Sequence, residues 1–278
     1  MTASILAEAI RTLQDGGIAN ARQEARWLLN QILEASAGQS RRSDDGLTPE
    51  QEELLRSRLN RRVAGEPLQY IMGNVDFHCV QLDIGPGVLI PRPETEQLVE
   101  IAIGLYPGDG EICDACTGSG AIAIALAKTF PQAKVTATDI SARALAWARQ
   151  NASRLQLANV AFHQGDLLAP IPPAARFALI TANPPYIAPD EYTRLDSTIK
   201  DHEPPEALIA HDHGQAIIKR LACDARTRLN PGAWLVCEIG DTQGPPLKEH
   251  FRRQGYQNVD IRRDFAGRDR FAIAQQPA

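Results

Sequence analysis

The stretch Ile112-Cys113-Asp114-Ala115-Cys116-Thr117-Gly118-Ser119-Gly120 decides how this chain is read. A short apolar strand at 112–115 runs into a turn with two glycines, and residues 120–130 follow as a helix. Strands and helices alternate from there onward. Further strands are expected at 134–138, 160–163, 177–182, 233–239, 257–262 and 270–274, with helices at 141–155, 215–229 and 246–254. This alternation predicts an α/β fold, a mostly parallel seven-stranded sheet with helices on both faces. A ligand of such a sheet belongs at the carboxyl ends of its strands.

Upstream the pattern changes. Residues 94–103 read as a helix and 107–110 as a turn. Between 75 and 90 the helical period is lost. Phe77, Cys79, Val80, Leu82 and Ile84, then residues 88–90, flank Gly85-Pro86-Gly87, which predicts a β-hairpin around that turn. Residues 1–72 are helical only, with helices at 4–13, from Asn20, from Thr48 and at 67–71, and a polar loop at 36–47. Thr48-Pro49-Glu50-Gln51 is a capping box. The expected division is a helical domain at 1–74, a hairpin linker at 75–91 and an α/β domain at 92–278.

Composition excludes several classes. The 278 residues carry a net charge of −5 and only 5% aromatics, which disfavours both a basic nucleic-acid face and a base-stacking platform. The helical segment through residue 75 has nine arginines, no lysine and ten acids, a net −1. Its Arg41-Arg42 and Arg61-Arg62 pairs read as solvated helix faces, and the segment fits a protein partner better than DNA. No apolar run approaches ~18 residues and no signal core opens the chain, so a cytoplasmic protein with no membrane contact is expected. The five cysteines form no disulfide framework. Cys113 and Cys116 lack a second pair at zinc spacing, and His211-Asp212-His213 reads as a solvated loop, so no metal is expected.

Three features describe a ligand across adjacent strand ends. Cys116, Thr117, Gly118, Ser119 and Gly120 form a strand-to-helix turn, where glycines allow close backbone approach and the helix N-terminus adds free N–H groups. Alone, this turn suits a dinucleotide or a phosphate nearly as well. Asp139 closes the next strand, where a carboxylate accepts both hydroxyls of a ribose, in NAD and S-adenosylmethionine sites alike. Asp166 and Leu167 end the third strand, the carboxylate placed for an adenine amine and the next side chain for the ring. Together they outline an adenosine.

The fourth strand ends in Asn183-Pro184-Pro185-Tyr186. Two prolines cannot extend a ladder and Asn183 is pushed to extended backbone, so the strand exit is stiff. It presents an amide side chain beside a Pro184 carbonyl that no ladder partner claims.

With these residues in place, the chain resembles the class I S-adenosylmethionine-dependent methyltransferases, and within them the PrmC/HemK family. The resemblance extends over Gly65-Glu66-Pro67-Leu68-Gln69-Tyr70-Ile71, residues 89–96, the 117–120 turn, residues 183–186, Glu203-Pro204 with Ala207-Leu208, and Ala266-Gly267-Arg268-Asp269-Arg270. It implies a Rossmann-like methyltransferase domain and a helical N-terminal domain that recognises its protein substrate. It also implies transfer of a methyl group from S-adenosyl-L-methionine to the side-chain amide (N5) of a glutamine in class-1 peptide chain release factors. The chain departs from the family pattern at Cys116, where glycine is usual, at Leu167, where an aromatic is frequent, and at Ala210-His211-Asp212-His213-Gly214, where Gly-Gly-x-x-Gly is usual.

In this reading the side-chain oxygen of Asn183 and the Pro184 carbonyl accept the two N–H groups of the substrate amide. Tyr186 packs on the amide plane. Residues 183–186 bind the substrate and Asn183 also faces the cofactor. Arg92 and Glu94 are expected either at the pocket lip or in an ion-paired domain junction. Alternatives are a glutamine methyltransferase of a ribosomal protein, a nucleic-acid adenine or cytosine amine methyltransferase, and a non-catalytic binding module.

Overall fold

The computed structural model describes residues 2–36 and 46–278. The Arg41-Arg42 pair, and all but the ends of the expected 36–47 loop, lie outside the described residues. Helices α1 (Thr2–Asp15), α2 (Ala21–Ser36), α3 (Pro49–Val63) and α4 (Leu68–Met72) close around Leu13, Leu28, Ile32, Leu55, Leu59 and Ile71. The capping box forms as read: Thr48 Oγ1 accepts the Gln51 N–H at 3.3 Å, and Gln51 Oε1 accepts the Thr48 N–H at 2.8 Å. Arg62 departs from the expectation of a solvated face. Its Nε lies 2.6 Å from Glu24 of α2, with both side chains largely withdrawn from water.

The hairpin is β1 (Asn74–Phe77) paired with β2 (Val80–Asp83), antiparallel from Asn74↔Asp83 to Phe77↔Val80. Its turn is therefore His78-Cys79, not the expected Gly85-Pro86-Gly87. His78 takes the left-handed backbone (φ 51°) that a two-residue reversal requires, at a residue type that does not advertise it. Residues 85–87 instead run against the helix at 142–154, where a Cβ at Gly85 would meet the Trp147 ring and one at Gly87 the Arg143 side chain.

The remaining elements are α5 (Pro93–Leu105), β3 (Ile112–Ala115), α6 (Ala121–Thr129), β4 (Val135–Asp139), α7 (Ala142–Arg154), β5 (Val160–Gln164) and β6 (Phe177–Ala182). Short helices α8 (Pro189–Tyr192) and α9 (Ser197–Lys200) and a 3-10 turn (Pro205–Ala207) follow, then α10 (Ala216–Arg226), β7 (Leu229–Glu238), α11 (Gly244–Arg253), β8 (Gln257–Arg263) and β9 (Asp269–Gln275). The seven strands stand in the order β5-β4-β3-β6-β7-β9-β8, parallel except for β9, which is antiparallel to both neighbours. Adjacent residues face opposite sides: Ile112 and Leu179 enter one core, Cys113 and Ile180 the other. Burial pushes the Cys113 thiol well up, so it behaves as a small hydrophobe.

One boundary differs from expectation. Asn230-Pro231-Gly232 does not separate α10 from β7; it lies inside β7. Phe177 pairs with Leu229 and Leu179 with Trp234, so residues 230–233 bulge out opposite Ala178. Proline has no N–H for the ladder and Gly232 has φ 76°, so the stretch reads as a helix stop yet serves as a bulge.

Strand order reverses between β3 and β6, whose last residues, Ala115 and Ala182, pair side by side. The 116–120 turn and the 183–186 exit therefore leave the sheet at its switch point, where a crevice opens. No described helix is long and apolar enough to cross a membrane.

Candidate active site

The turn after β3 is held from beneath. Fully buried Asp114 accepts hydroxyl hydrogens from Thr117 (2.6 Å) and from Thr181 of β6 (2.9 Å). Burial pushes its carboxyl up to about 7, with the two hydroxyls pulling the other way. The Gly118 N–H donates to Asp139 Oδ2 (2.8 Å) and the Ser141 N–H to Oδ1 (2.9 Å). Asp139 is not the helix cap: Ser141 Oγ fills that role, accepting the Ala144 N–H at 3.2 Å. Burial chiefly raises the Asp139 carboxyl, and backbone N–H groups oppose it.

Above this turn lies a cavity of about 300 Å³, lined by Cys116, Thr117, Gly118, Ser119, Asp139, Gly165, Asp166, Leu167, Asn183 and Pro185 among others. Gly120 is not in the lining. It caps α6 with φ 85° and sits against Ile124. Asp166 lies at the half-exposed rim, ion-paired with Arg220 of α10. Ile140, 63% exposed, adds an apolar wall at the mouth that the sequence reading did not assign.

Pro184 and Tyr186 line a second cavity of about 180 Å³, together with Leu89, Arg92, Ile187, Leu195, Ile199 and Leu208. Asn183 lines both cavities. Its Nδ2 donates to Thr95 Oγ1 (3.1 Å), Thr95 donates to Glu238 Oε2 (2.6 Å), and the Tyr186 hydroxyl donates to Glu238 Oε1 (3.0 Å). Among the described residues nothing donates to Asn183 Oδ1 or to the Pro184 carbonyl. Glu238, 1% exposed, ends β7. Burial raises its carboxyl, while Thr95, Tyr186 and Arg270 hold it down. Arg270 stands 6.0 Å from the Tyr186 ring centre and donates to the Ile239 carbonyl (3.0 Å).

Arg92 takes the first of its expected places and an ion pair within the α/β domain in place of one at a domain junction. It lines the second cavity, and its Nη2 is 2.5 Å from buried Glu203, whose other oxygen accepts the Ile90 N–H at 3.0 Å. Glu94 lines neither cavity and faces a separate groove beside Phe265. Asp212 pairs with Lys219 at 2.7 Å.

Residues 4–73 match the PrmC N-terminal domain and residues 108–237 a methyltransferase domain. The release factor glutamine methyltransferase of Vibrio cholerae is 42% identical over 218 residues, 78% of this chain and 76% of that protein. That of Moorella thermoacetica is 39% identical over 97% of this chain and 96% of its own length. The chain belongs to the release factor glutamine methyltransferase family. A methyltransferase structure from Pyrococcus furiosus shares the fold, with TM-score 0.55 and 20% identity over 80% of this chain and 98% of that one.

Of the three departures, the one at Cys116 acquires a physical account, and nothing in the structure explains Leu167, Ala210 or His211. Cys116 (φ 58°) and Leu167 (φ 48°) both hold left-handed backbone, which glycine adopts at least cost, so the glycine expected at 116 from the resemblance would answer a backbone demand that cysteine meets under strain. In the 210–214 loop, Asp212, His213 and Gly214 are left-handed in succession (φ 55°, 53° and 78°). A Cβ on Gly214 would overlap the Tyr186 carbonyl oxygen. That carbonyl accepts a 2.8 Å bond from Gln243 Nε2, which also donates to His213 O at 3.1 Å. The loop thus clamps the end of the 183–186 turn.

Thr95, Glu203, Glu238 and Gln243 escaped assignment from sequence. Thr95 and Glu203 stand in the stretches that carry the family resemblance. Glu238 and Gln243 give no local signal beyond a polar residue at and just after a strand end.

Proposed function

We propose that this protein transfers a methyl group from S-adenosylmethionine to the side-chain amide nitrogen of the glutamine in the Gly-Gly-Gln motif of class-1 peptide chain release factors. The observation that carries the reading is Asn183 in the wall between two cavities, its NH₂ tied to Thr95 and its oxygen directed to neither fold partner. The larger cavity suits the cofactor: Asp139 would hold the ribose hydroxyls, Asp166 the adenine amine, and Ile140 and Leu167 the ring faces. S-adenosylmethionine, when bound, would supply the methyl as an electrophile and leave as the neutral thioether S-adenosylhomocysteine, and the methylated nitrogen, made acidic by its positive charge, would release one of its two N–H protons to water.

The chain's residues prepare the nucleophile. An amide nitrogen is weakly nucleophilic because its lone pair is delocalised into the carbonyl. Asn183 Oδ1 and the Pro184 carbonyl accept its two hydrogens, concentrate electron density on nitrogen and stabilise the positive charge that develops there, an effect of about 10²–10³ in rate for one well-placed group. Tyr186 offers its ring face, since its hydroxyl is bonded to Glu238 and burial raises its pKa. It is no general base. Asp114 is none either, enclosed beneath the turn by Thr117 and Thr181.

Residues 1–74 act in this reading as the release-factor-recognising unit, 75–91 as the linker and 92–278 as the catalytic domain, working in the cytoplasm. Incubation with labelled S-adenosylmethionine and a release factor, with and without its Gly-Gly-Gln glutamine, tests the assignment. Label confined to the glutamine-bearing factor is expected; label that persists after the glutamine is replaced rejects it.

A further inference from the structure

A site that must bind an amide NH₂ faces a specific hazard. The Asn183 side chain has nearly the same shape either way round, but one orientation presents an acceptor and the other two donors. Only the acceptor orientation can take hydrogens from a substrate amide. The flipped one would welcome a carboxylate or a carbonyl instead.

The buried chain behind Asn183 removes the ambiguity. Glu238 accepts from Thr95 at 2.6 Å and from the Tyr186 hydroxyl at 3.0 Å. Burial works against the ionised form of Glu238, and the two hydroxyls with Arg270 work for it; the ionised carboxylate has no hydrogen to give, so the single hydroxyl hydrogen of Thr95 then points to Glu238. That leaves Thr95 only lone pairs for Asn183, which must answer with its NH₂, at 3.1 Å. Oδ1 then faces the cavities. Thr95 and Glu238 are 143 residues apart, and both are buried, so water cannot substitute for either partner. Arg270, 6.0 Å from the Tyr186 ring centre, supplies the neighbouring positive charge.

We infer that Glu238, acting through Thr95, is a positioning residue that fixes the orientation of the Asn183 amide and thereby makes the site select a glutamine amide over a glutamate carboxylate. Glu238 lines neither cavity, so its influence passes through Thr95 and Asn183. The inference rests on the functional reading above and names the device behind its specificity.

The test compares equilibrium binding of two peptides, one with Gly-Gly-Gln and one with Gly-Gly-Glu, without methyl donor, alongside turnover on a release factor. Wild type is expected to favour the glutamine peptide by about tenfold or more, the equivalent of ~1.4 kcal/mol. In Glu238→Gln the hydroxyl of Thr95 no longer meets an obligate acceptor, and in Thr95→Val the relay is gone without any change of charge. Both should lower the preference at least about fivefold with cofactor affinity near wild type, and with a melting temperature lowered by the loss of a buried hydrogen bond. Thr95→Ser should restore most of the preference lost in Thr95→Val. An unchanged preference in both variants, or equal loss in Thr95→Ser and Thr95→Val, overturns the inference while leaving the function intact. Absence of methyl transfer by wild type overturns both.

Discussion

The two cavities that meet at Asn183 are built on different principles. The larger is lined by turns that follow four neighbouring parallel strands, with apolar side chains such as Val88, Leu89, Ile122 and Ile140 beside them. The smaller is walled by residues from 187–208 packed beside the 183–186 turn, and polar ties spanning long stretches of chain hold its surroundings. These are Arg92 to Glu203, Thr95 to Glu238, and Gln243 to the Tyr186 carbonyl. The first is held from beneath by Asp114 and Asp139, whose partners stand on the same or neighbouring strands and the turns that follow them. The second depends on ties between distant segments, each of which buries a polar group that is costly to leave unpaired.

Breaking the smaller cavity should therefore hurt most. Gly214→Ala places a Cβ where the Tyr186 carbonyl stands, on left-handed backbone. Turnover is expected to fall about 100-fold or more, with a stability loss of roughly 1–3 kcal/mol. Cofactor affinity should stay within about threefold. Steady-state kinetics with calorimetric titration measure both, and wild-type turnover would show that the clamp is dispensable.

The support beneath the larger cavity should respond to pH rather than collapse. Asp114 is pushed up to about 7 by burial, above its unfolded value of 3.8. Between those values the folded state holds a proton that the unfolded state has lost, so this group's contribution to stability falls as pH rises through the window. Asp114→Asn lacks that dependence. Its melting temperature should gain on wild type as pH is raised from about 5 to about 8, and parallel melting profiles would contradict the assignment.

The smallest effect belongs at the rim. Arg220 pairs with Asp166 where both are about half exposed, and such pairs are worth roughly 0–1 kcal/mol. Arg220→Ala should change cofactor affinity less than about threefold. A tenfold change would mean that the rim pair controls entry.

The same contrast governs what could be read from sequence. The larger cavity follows from local order: an apolar run, a Gly-rich turn, Asp139 at the next strand end, Asp166 after the third. Each is recognisable within a few residues, and the parallel topology brings them together. Likewise the Thr48 capping box is complete within four residues. The hairpin turn is hidden in the sequence because His78 holds a left-handed backbone without being Gly, Asn or Asp, while the glycines at 85 and 87 answer to Trp147 and Arg143 in a distant helix. The β7 bulge is not legible locally, because Pro231 and Gly232 carry the same signal in a bulge as in a loop. Thr95, Glu203, Glu238 and Gln243 are beyond reach for one reason: the site residues they tie together lie 30 to 143 residues away, and only the assembled fold pairs them.

The central claim is that Asn183 acts on the substrate amide from the wall between the cavities and does not hold the cofactor in place. Measuring methyl transfer and S-adenosylmethionine affinity side by side in Asn183→Ala tests it most directly. The account predicts that transfer to the release factor is abolished while cofactor affinity stays within about tenfold, ~1.4 kcal/mol or less. Wild-type transfer in that variant, or loss of cofactor binding in step with activity, would contradict it.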